Sequence, residues 1–171
     1  SDLAPRQLIS GCGQRNALGR VAQALGRRAL VITDQRLAAD PDFKNMVADL
    51  NANGLVTQVS SDTLPDVPAE STVRLAEAVR SFQADMVIGV GGGSCLDMAK
   101  CVALLRTHGG LPQDYYGEFK VPGPLMPLIA IPTTAGTGSE VTPVAVLADS
   151  ARSLKIGISS PHLVPTVAIC D

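Results

Sequence analysis

Aromatic side chains are scarce in this chain, at 3% of 171 residues. Proteins that hold single-stranded nucleic acid stack bases on aromatic platforms, so that class is excluded on composition. Charge of one sign is scarce too. Fourteen Lys and Arg stand against 16 Asp and Glu, a formal charge of −2. Such a balance gives no basic surface for nucleic acid or an anionic membrane. No apolar run approaches the ~20 residues that span a bilayer. The opening Ser1-Asp2-Leu3-Ala4-Pro5 lacks the basic-then-apolar pattern of a secretory signal, so a cytoplasmic protein is expected. Histidine is represented only by His108 and His162, far apart in sequence, and a metal site built by this chain alone is not expected. Cys12, Cys95, Cys101 and Cys170 contain no Cys-x-x-Cys pair and read as reduced thiols, not disulfides.

What is present is an ordinary globular composition, 46% apolar, in a length that suits one domain over residues 1–171. Strand and helix signals alternate. A short strand ending in a glycine turn is expected over 8–13, further strands at 29–33, 55–59, 86–90 and 128–131, and helices at 15–26, with Gly26 as the stop, 41–53, 69–82 and from Ser94 to about Thr107. The 69–82 helix is expected to bury Val73, Leu75, Ala76 and Val79, and the 55–59 strand to be half-buried. After Gly109 the pattern shifts. Residues 111–127 hold four prolines and read as irregular. Residues 144–147 and 154–158 read as strands around an Asp149-Ser150 turn, and 167–170 as a last strand. The fold class expected is α/β, a Rossmann-like parallel sheet flanked by helices, with an antiparallel β-hairpin added to that sheet.

The stretch that organises the chain runs from Asp85 to Lys100. Met86 to Val90 is apolar, as in a strand buried on both faces. Gly91, Gly92 and Gly93 permit a tight turn. Ser94 then suits a helix N-cap, with Asp97 three residues on completing a capping-box-like pair. Strand, glycine turn and helix start make an anion site from free backbone N–H groups and the positive end of the helix dipole. The stretch is neither a G-x-G-x-x-G fingerprint nor a Walker A loop, and a plain βα turn is the alternative. Asp34, at the end of another strand, suits either a ribose hydroxyl acceptor or a helix cap. Residues 133–139 carry four hydroxyls and two glycines, suited to a ligand wall or an ordinary turn cluster. Glu140 is a candidate acid or base by residue type. Lys155, in an apolar strand, either reaches a ligand oxygen or snorkels outward.

Two long motifs in order, Gly91-Gly92-Gly93-Ser94-Cys95-Leu96-Asp97-Met98-Ala99-Lys100 and Pro132-Thr133-Thr134-Ala135-Gly136-Thr137-Gly138-Ser139-Glu140, closely resemble the iron-containing (group III) alcohol dehydrogenases. The resemblance covers essentially the whole chain. It implies the N-terminal NAD-binding domain of that family. Gly91, Gly92, Gly93 and Ser94 would then hold the NAD pyrophosphate, with Asp97 near the nicotinamide half. Thr133 and Thr134 would line the adenine side, and Thr137, Val146 and Lys155 the wall near the nicotinamide ribose. Asp34 would select NAD over NADP. The resemblance also implies hydride transfer between a small alcohol or aldehyde and NAD(H), usually in a homo-oligomer. Where the family often carries Pro-Asn-Pro, this chain reads Asp66-Val67-Pro68. The all-helical domain whose Asp and three His bind Fe²⁺ (or Zn²⁺) has no counterpart here, so these residues alone are expected not to turn over alcohol. Other readings are a stand-alone nucleotide-binding module, or a relative of the maleylacetate reductases or glycerol dehydrogenases.

Overall fold

The chain runs β1 (Gln7–Ser10), α1 (Leu18–Leu25), β2 (Arg28–Ile32), α2 (Gln35–Ala38), α3 (Pro41–Ala52), β3 (Val56–Ser60), α4 (Ala69–Phe82), β4 (Met86–Gly91), α5 (Gly93–His108), β5 (Gly117–Glu118), β6 (Leu128–Pro132), β7 (Val144–Asp149), β8 (Leu154–Ser159) and β9 (Val167–Cys170). This is a computed structural model, which describes residues 7–10, 17–133 and 138–170. Six strands pair in parallel in the order β1-β9-β6-β4-β2-β3.

Alternation along the strands sends side chains to two cores. Leu30, Ile32, Val87 and Leu128 face the layer holding α4 and α5, while Ala29, Val31, Met86, Ile88, Ile129 and Ile131 face the layer holding α1 and α3. The pattern of a parallel sheet covered on both faces is thus satisfied by near-continuous apolar strands. At the sheet's edge, with a strand on one side only, β3 is more exposed than the half-buried strand expected, with Val56 48% and Val59 39% accessible. On α4 the buried stripe is Thr72, Leu75, Ala76 and Val79, with Val73 turned outward. Thr72 tolerates burial because its hydroxyl donates to Ala69 O at 2.6 Å.

The antiparallel hairpin forms as expected, but not on the main sheet. β7 and β8 join β5 in a separate three-stranded sheet that packs over α4 and α5. The reason lies in its period-two pattern. Ala145 and Leu147 on β7 and Ile158 on β8 point into the same core as α5, so the hairpin lies face-on, not edge-on. α5 is therefore sandwiched between two sheets, with all but Asp97 of residues 95–105 buried. A helix in that position is apolar on every side. The glycine at 26, expected as a helix stop, does follow α1. Its role is close approach: a Cβ there would stand 2.3 Å from Asp85 Oδ1.

Candidate functional site

β2 and β4 are neighbours, yet the chain leaves them in opposite directions. From β2 it moves to β3 at one edge; from β4 it moves to β6 and β9 on the other side. The crevice outside their carboxyl ends is thus a topological switch point, where open α/β sheets bind ligands. Asp34 closes β2 and Gly91 to Gly93 close β4, so the topology brings these predicted residues together.

The turn's shape requires its glycines. Gly91 sits at φ +140°, where an added Cβ would lie 2.7 Å from Cys95 Sγ and 3.1 Å from Leu37 Cδ1. Two residues earlier, a Cβ on Gly89 would meet Ala99 Cβ at 2.7 Å, so that glycine lets α5 lie close on the sheet. Gly93 differs: among the described residues the nearest atom to a new Cβ is Ser139 Oγ, at an ordinary contact distance of 3.6 Å.

Ser94 is not the N-cap. Gly92 takes that position in extended backbone, α5 begins at Gly93, and no side chain among the described residues caps it. Glycine at the turn lets the helix start one residue early, and the Ser94 hydroxyl instead donates to Pro65 O. Nor does Asp97 complete a capping box. Its Oδ2 accepts the Val146 N–H at 3.1 Å, while Oδ1 is buried with no hydrogen-bond partner among the described residues. Burial raises the Asp97 pKa, and the Val146 amide, Lys100 and Ser139 oppose that shift. The uncapped end of a 16-residue helix is left to favour an anion.

Asp34 performs the capping role weighed for it. Its Oδ1 accepts the Leu37 N–H at 2.8 Å at the start of α2, and its Oδ2 lies 3.8 Å from Cys95 Sγ. Burial, then the Asp34 charge, push the Cys95 thiol up to about 12, so it stays protonated beneath the glycine turn. Beside Asp34, the Thr33 and Thr63 hydroxyls are buried with no hydrogen-bond partner among the described residues. Cys95 and Cys101 are buried free thiols and Cys170 is half-buried.

Ser94, Asp97, Val146 and Lys155 line one cavity of about 150 Å³ with Pro65, Asp66, Val67 and Leu147. Lys155 snorkels to its rim and pairs with Asp66 at 2.9 Å, both side chains about 65% exposed. Val67 takes φ 36°, an uncommon conformation for a β-branched residue. It is held there by packing, at 2% exposure, and by its carbonyl accepting the Ala148 N–H at 3.0 Å. Thr133 lies at the end of β6, half-buried, with its N–H donating to Gly91 O at 3.1 Å. Thr134 and Thr137 lie outside the described residues. Glu140 is half-buried before β7, and its charge supports protonated Lys100.

Sequence reasoning gave Lys100 no role. It is fully buried, and its Nζ donates to Thr142 O (2.9 Å), Thr142 Oγ1 (3.2 Å) and Val144 O (2.9 Å). The available signal was one cation inside the apolar run 98–105. Among the described residues no cluster of three or more His, Cys, Asp or Glu is placed to hold a metal ion. No helix among them is long and apolar enough to cross a membrane.

Comparison with known proteins gives this geometry a family. The chain is 36% identical over 171 residues to the NAD-dependent methanol dehydrogenase of Bacillus methanolicus, covering 98% of this chain and 44% of that protein. The crystal structure of a 1,3-propanediol oxidoreductase superposes with a TM-score of 0.94 at 32% identity, over 98% of this chain and 44% of that one. A sulfoacetaldehyde reductase from Bifidobacterium kashiwanohense, solved in complex with NAD⁺, gives a TM-score of 0.85 at 30% identity, over 98% and 45%. The chain therefore spans less than half the length of these relatives. The sequence profile of the iron-containing alcohol dehydrogenases matches residues 5–171, and the chain belongs to that family.

Proposed function

We propose that this chain is the NAD(H)-binding part of a dehydrogenase that moves a hydride between a small alcohol and its aldehyde. The observation that carries the reading is the uncapped N-terminus of α5, set behind a glycine turn at the switch point of the sheet. In this reading the N–H groups of Gly93 and Ser94 donate to the pyrophosphate, and Gly91 and Gly92 keep the approach clear. The remaining carboxylate capacity of Asp34, beyond its bond to Leu37, accepts the adenosine ribose hydroxyls and repels a 2′-phosphate. Thr133, Thr134 and Thr137 line the adenine side. Asp97, Val146 and Lys155 border the nicotinamide riboside. The nicotinamide, when bound, supplies the hydride acceptor; these residues bind it, orient it and exclude water.

The residues present fit a dinucleotide: among the described residues only Ser139 Oγ comes near a Cβ at Gly93, and buried oxygens of Asp97, Thr33 and Thr63 have no hydrogen-bond partner. They do not fit a metal. Iron gives the family its name, and Fe²⁺ or Zn²⁺ would take its ligands from outside the described residues. Names of relatives that include NAD-dependent methanol dehydrogenase and sulfoacetaldehyde reductase support a small alcohol or aldehyde as substrate. We place the enzyme in the cytoplasm as a homo-oligomer, a state that the bare apolar edge at Val56 and Val59 favours and that light scattering tests.

The experiment is a calorimetric titration of NADH and then NADPH into the full-length protein. NADH is expected to bind saturably and more tightly, and Asp34→Gly to narrow the gap between the two. Absence of saturable NADH binding overturns the reading. An unchanged ratio in Asp34→Gly returns that residue to its capping role alone.

A further inference from the structure

Resting on the dinucleotide reading above, we propose that Lys100 is a positioning residue for the cofactor site: its ammonium clamps the segment that leads into β7 and so holds one wall of the cleft against the helix that starts at the glycine turn. Lys100 has no exposed surface, and an ammonium in a protein interior is costly unless every donor is satisfied. Its three acceptors match the three donors of an ammonium. All three belong to Thr142 and Val144. Its neighbours Met98, Ala99, Cys101, Val102 and Leu104 on α5 are apolar and buried, and the charges of Asp97 and Glu140 favour its protonated form.

One turn earlier on the same helix, Asp97 takes the Val146 N–H. The two side chains therefore grip β7 two residues apart, the base on the Val144 carbonyl and the acid on the Val146 amide. The other contacts of this small sheet with α5, through Ala145, Leu147 and Ile158, are apolar and lack direction. Hydrogen bonds to a charged group supply the direction, fixing which β7 residue faces which turn of α5.

The wall so fixed borders the candidate cofactor cleft. Val146 lines the 150 Å³ cavity with Ser94 and Asp97. Lys155, which lines it too, is paired with Ala148 across the hairpin ladder. Ser139, on the same approach to β7, stands 3.6 Å from the position of a Cβ on Gly93. A shift of β7 along α5 would move all three against the turn.

The test uses the full-length protein. Lys100→Met keeps the length of the side chain and removes the donors. NADH affinity and thermal stability are measured on the same samples, beside Leu50→Ala, which opens a cavity in the α3 core on the opposite face of the sheet. Lys100→Met is expected to weaken NADH binding on the order of tenfold, as misplacement of a binding group does, while Leu50→Ala loses stability and keeps its affinity. Lys100→Arg, which retains charge and donors, is expected to restore part of the loss. Unchanged affinity in Lys100→Met, or an equal drop in Leu50→Ala, overturns the proposal. Should Lys100→Met fail to fold, Thr142→Val removes one acceptor at the far end of the clamp and is expected to weaken NADH roughly two- to fivefold; unchanged affinity there overturns it equally. Wild-type protein that does not bind NADH defeats the dinucleotide reading itself, a result distinct from either variant outcome.

Discussion

Gly93→Ala separates the binding role of the glycine turn from its structural role. Among the described residues the new Cβ has only Ser139 Oγ near it, at 3.6 Å, an ordinary contact. Gly93 is the first helical residue of α5 and has no positive φ. Removing glycine from a helix stabilises by roughly 0.5–1 kcal/mol in the interior, an upper bound at a first position. The folded protein is therefore expected to melt at the same temperature or up to about 4 °C higher. Binding is expected to move the other way. The methyl group enters the open space through which a pyrophosphate would reach the bare N–H groups. A hydrogen bond to a charged group contributes about 1.5–3 kcal/mol, so losing one weakens NADH roughly 10- to 100-fold. The assay is NADH fluorescence titration and thermal unfolding of the same sample. Affinity equal to wild type would refute the placement of the anion over Gly93. A collapse of stability would refute the steric reasoning.

The neighbouring glycine behaves differently. Gly89→Ala places a Cβ 2.7 Å from Ala99 Cβ, and overpacking of this kind costs about 1–3 kcal/mol, read as a lower denaturant midpoint. A midpoint unchanged from wild type contradicts the tight seat of α5 on β4. Asp66→Asn releases Lys155 from an exposed ion pair worth at most ~1 kcal/mol. Stability is expected to hold while NADH affinity rises, through a lysine free to meet an anion; tighter binding that vanishes in Lys155→Met assigns the gain, and no gain contradicts it. Burial lowers the Lys100 pKa from 10.5 to about 8, so between those pH values the unfolded chain holds more protons than the native one. Stability from this group therefore rises with pH across that window, by roughly 3 kcal/mol in all, the burial penalty being full below pH 8. Cys95, raised from 9.0 to about 12, acts in the opposite sense above pH 9. The gain is thus sought as wild type minus Lys100→Met in urea unfolding, and a difference flat from pH 7 to 10 contradicts it.

Local sequence carried most of the architecture because strand and helix periods were seldom in conflict. The helix at 69–82 falls on Ala69–Phe82, and the last strand on Val167–Cys170. The glycine turn and the Asp34 strand end were legible as carboxyl-end residues, but their adjacency depends on the strand order, which no local pattern encodes. The hairpin was legible and its docking was not. Alternation in β7 tells that one face is buried, without telling whether a sheet edge or a helix covers it. Ser94 and Asp97 misled because a Ser-x-x-Asp pattern carries no information on where a glycine lets the helix begin. Lys100 and Asp66 draw their meaning from partners 42 and 89 residues away in sequence, Thr142 and Lys155.

In the proposed function a dinucleotide lies across the switch point with its pyrophosphate on the first turn of α5. A crystal structure of the full-length protein with NADH tests it most directly. Pyrophosphate oxygens are expected within hydrogen-bond distance of the Gly93 and Ser94 N–H groups, a ribose against Asp34 and the nicotinamide end toward Asp97, Val146 and Lys155. NADH bound elsewhere, with the first turn of α5 facing only water, would contradict it.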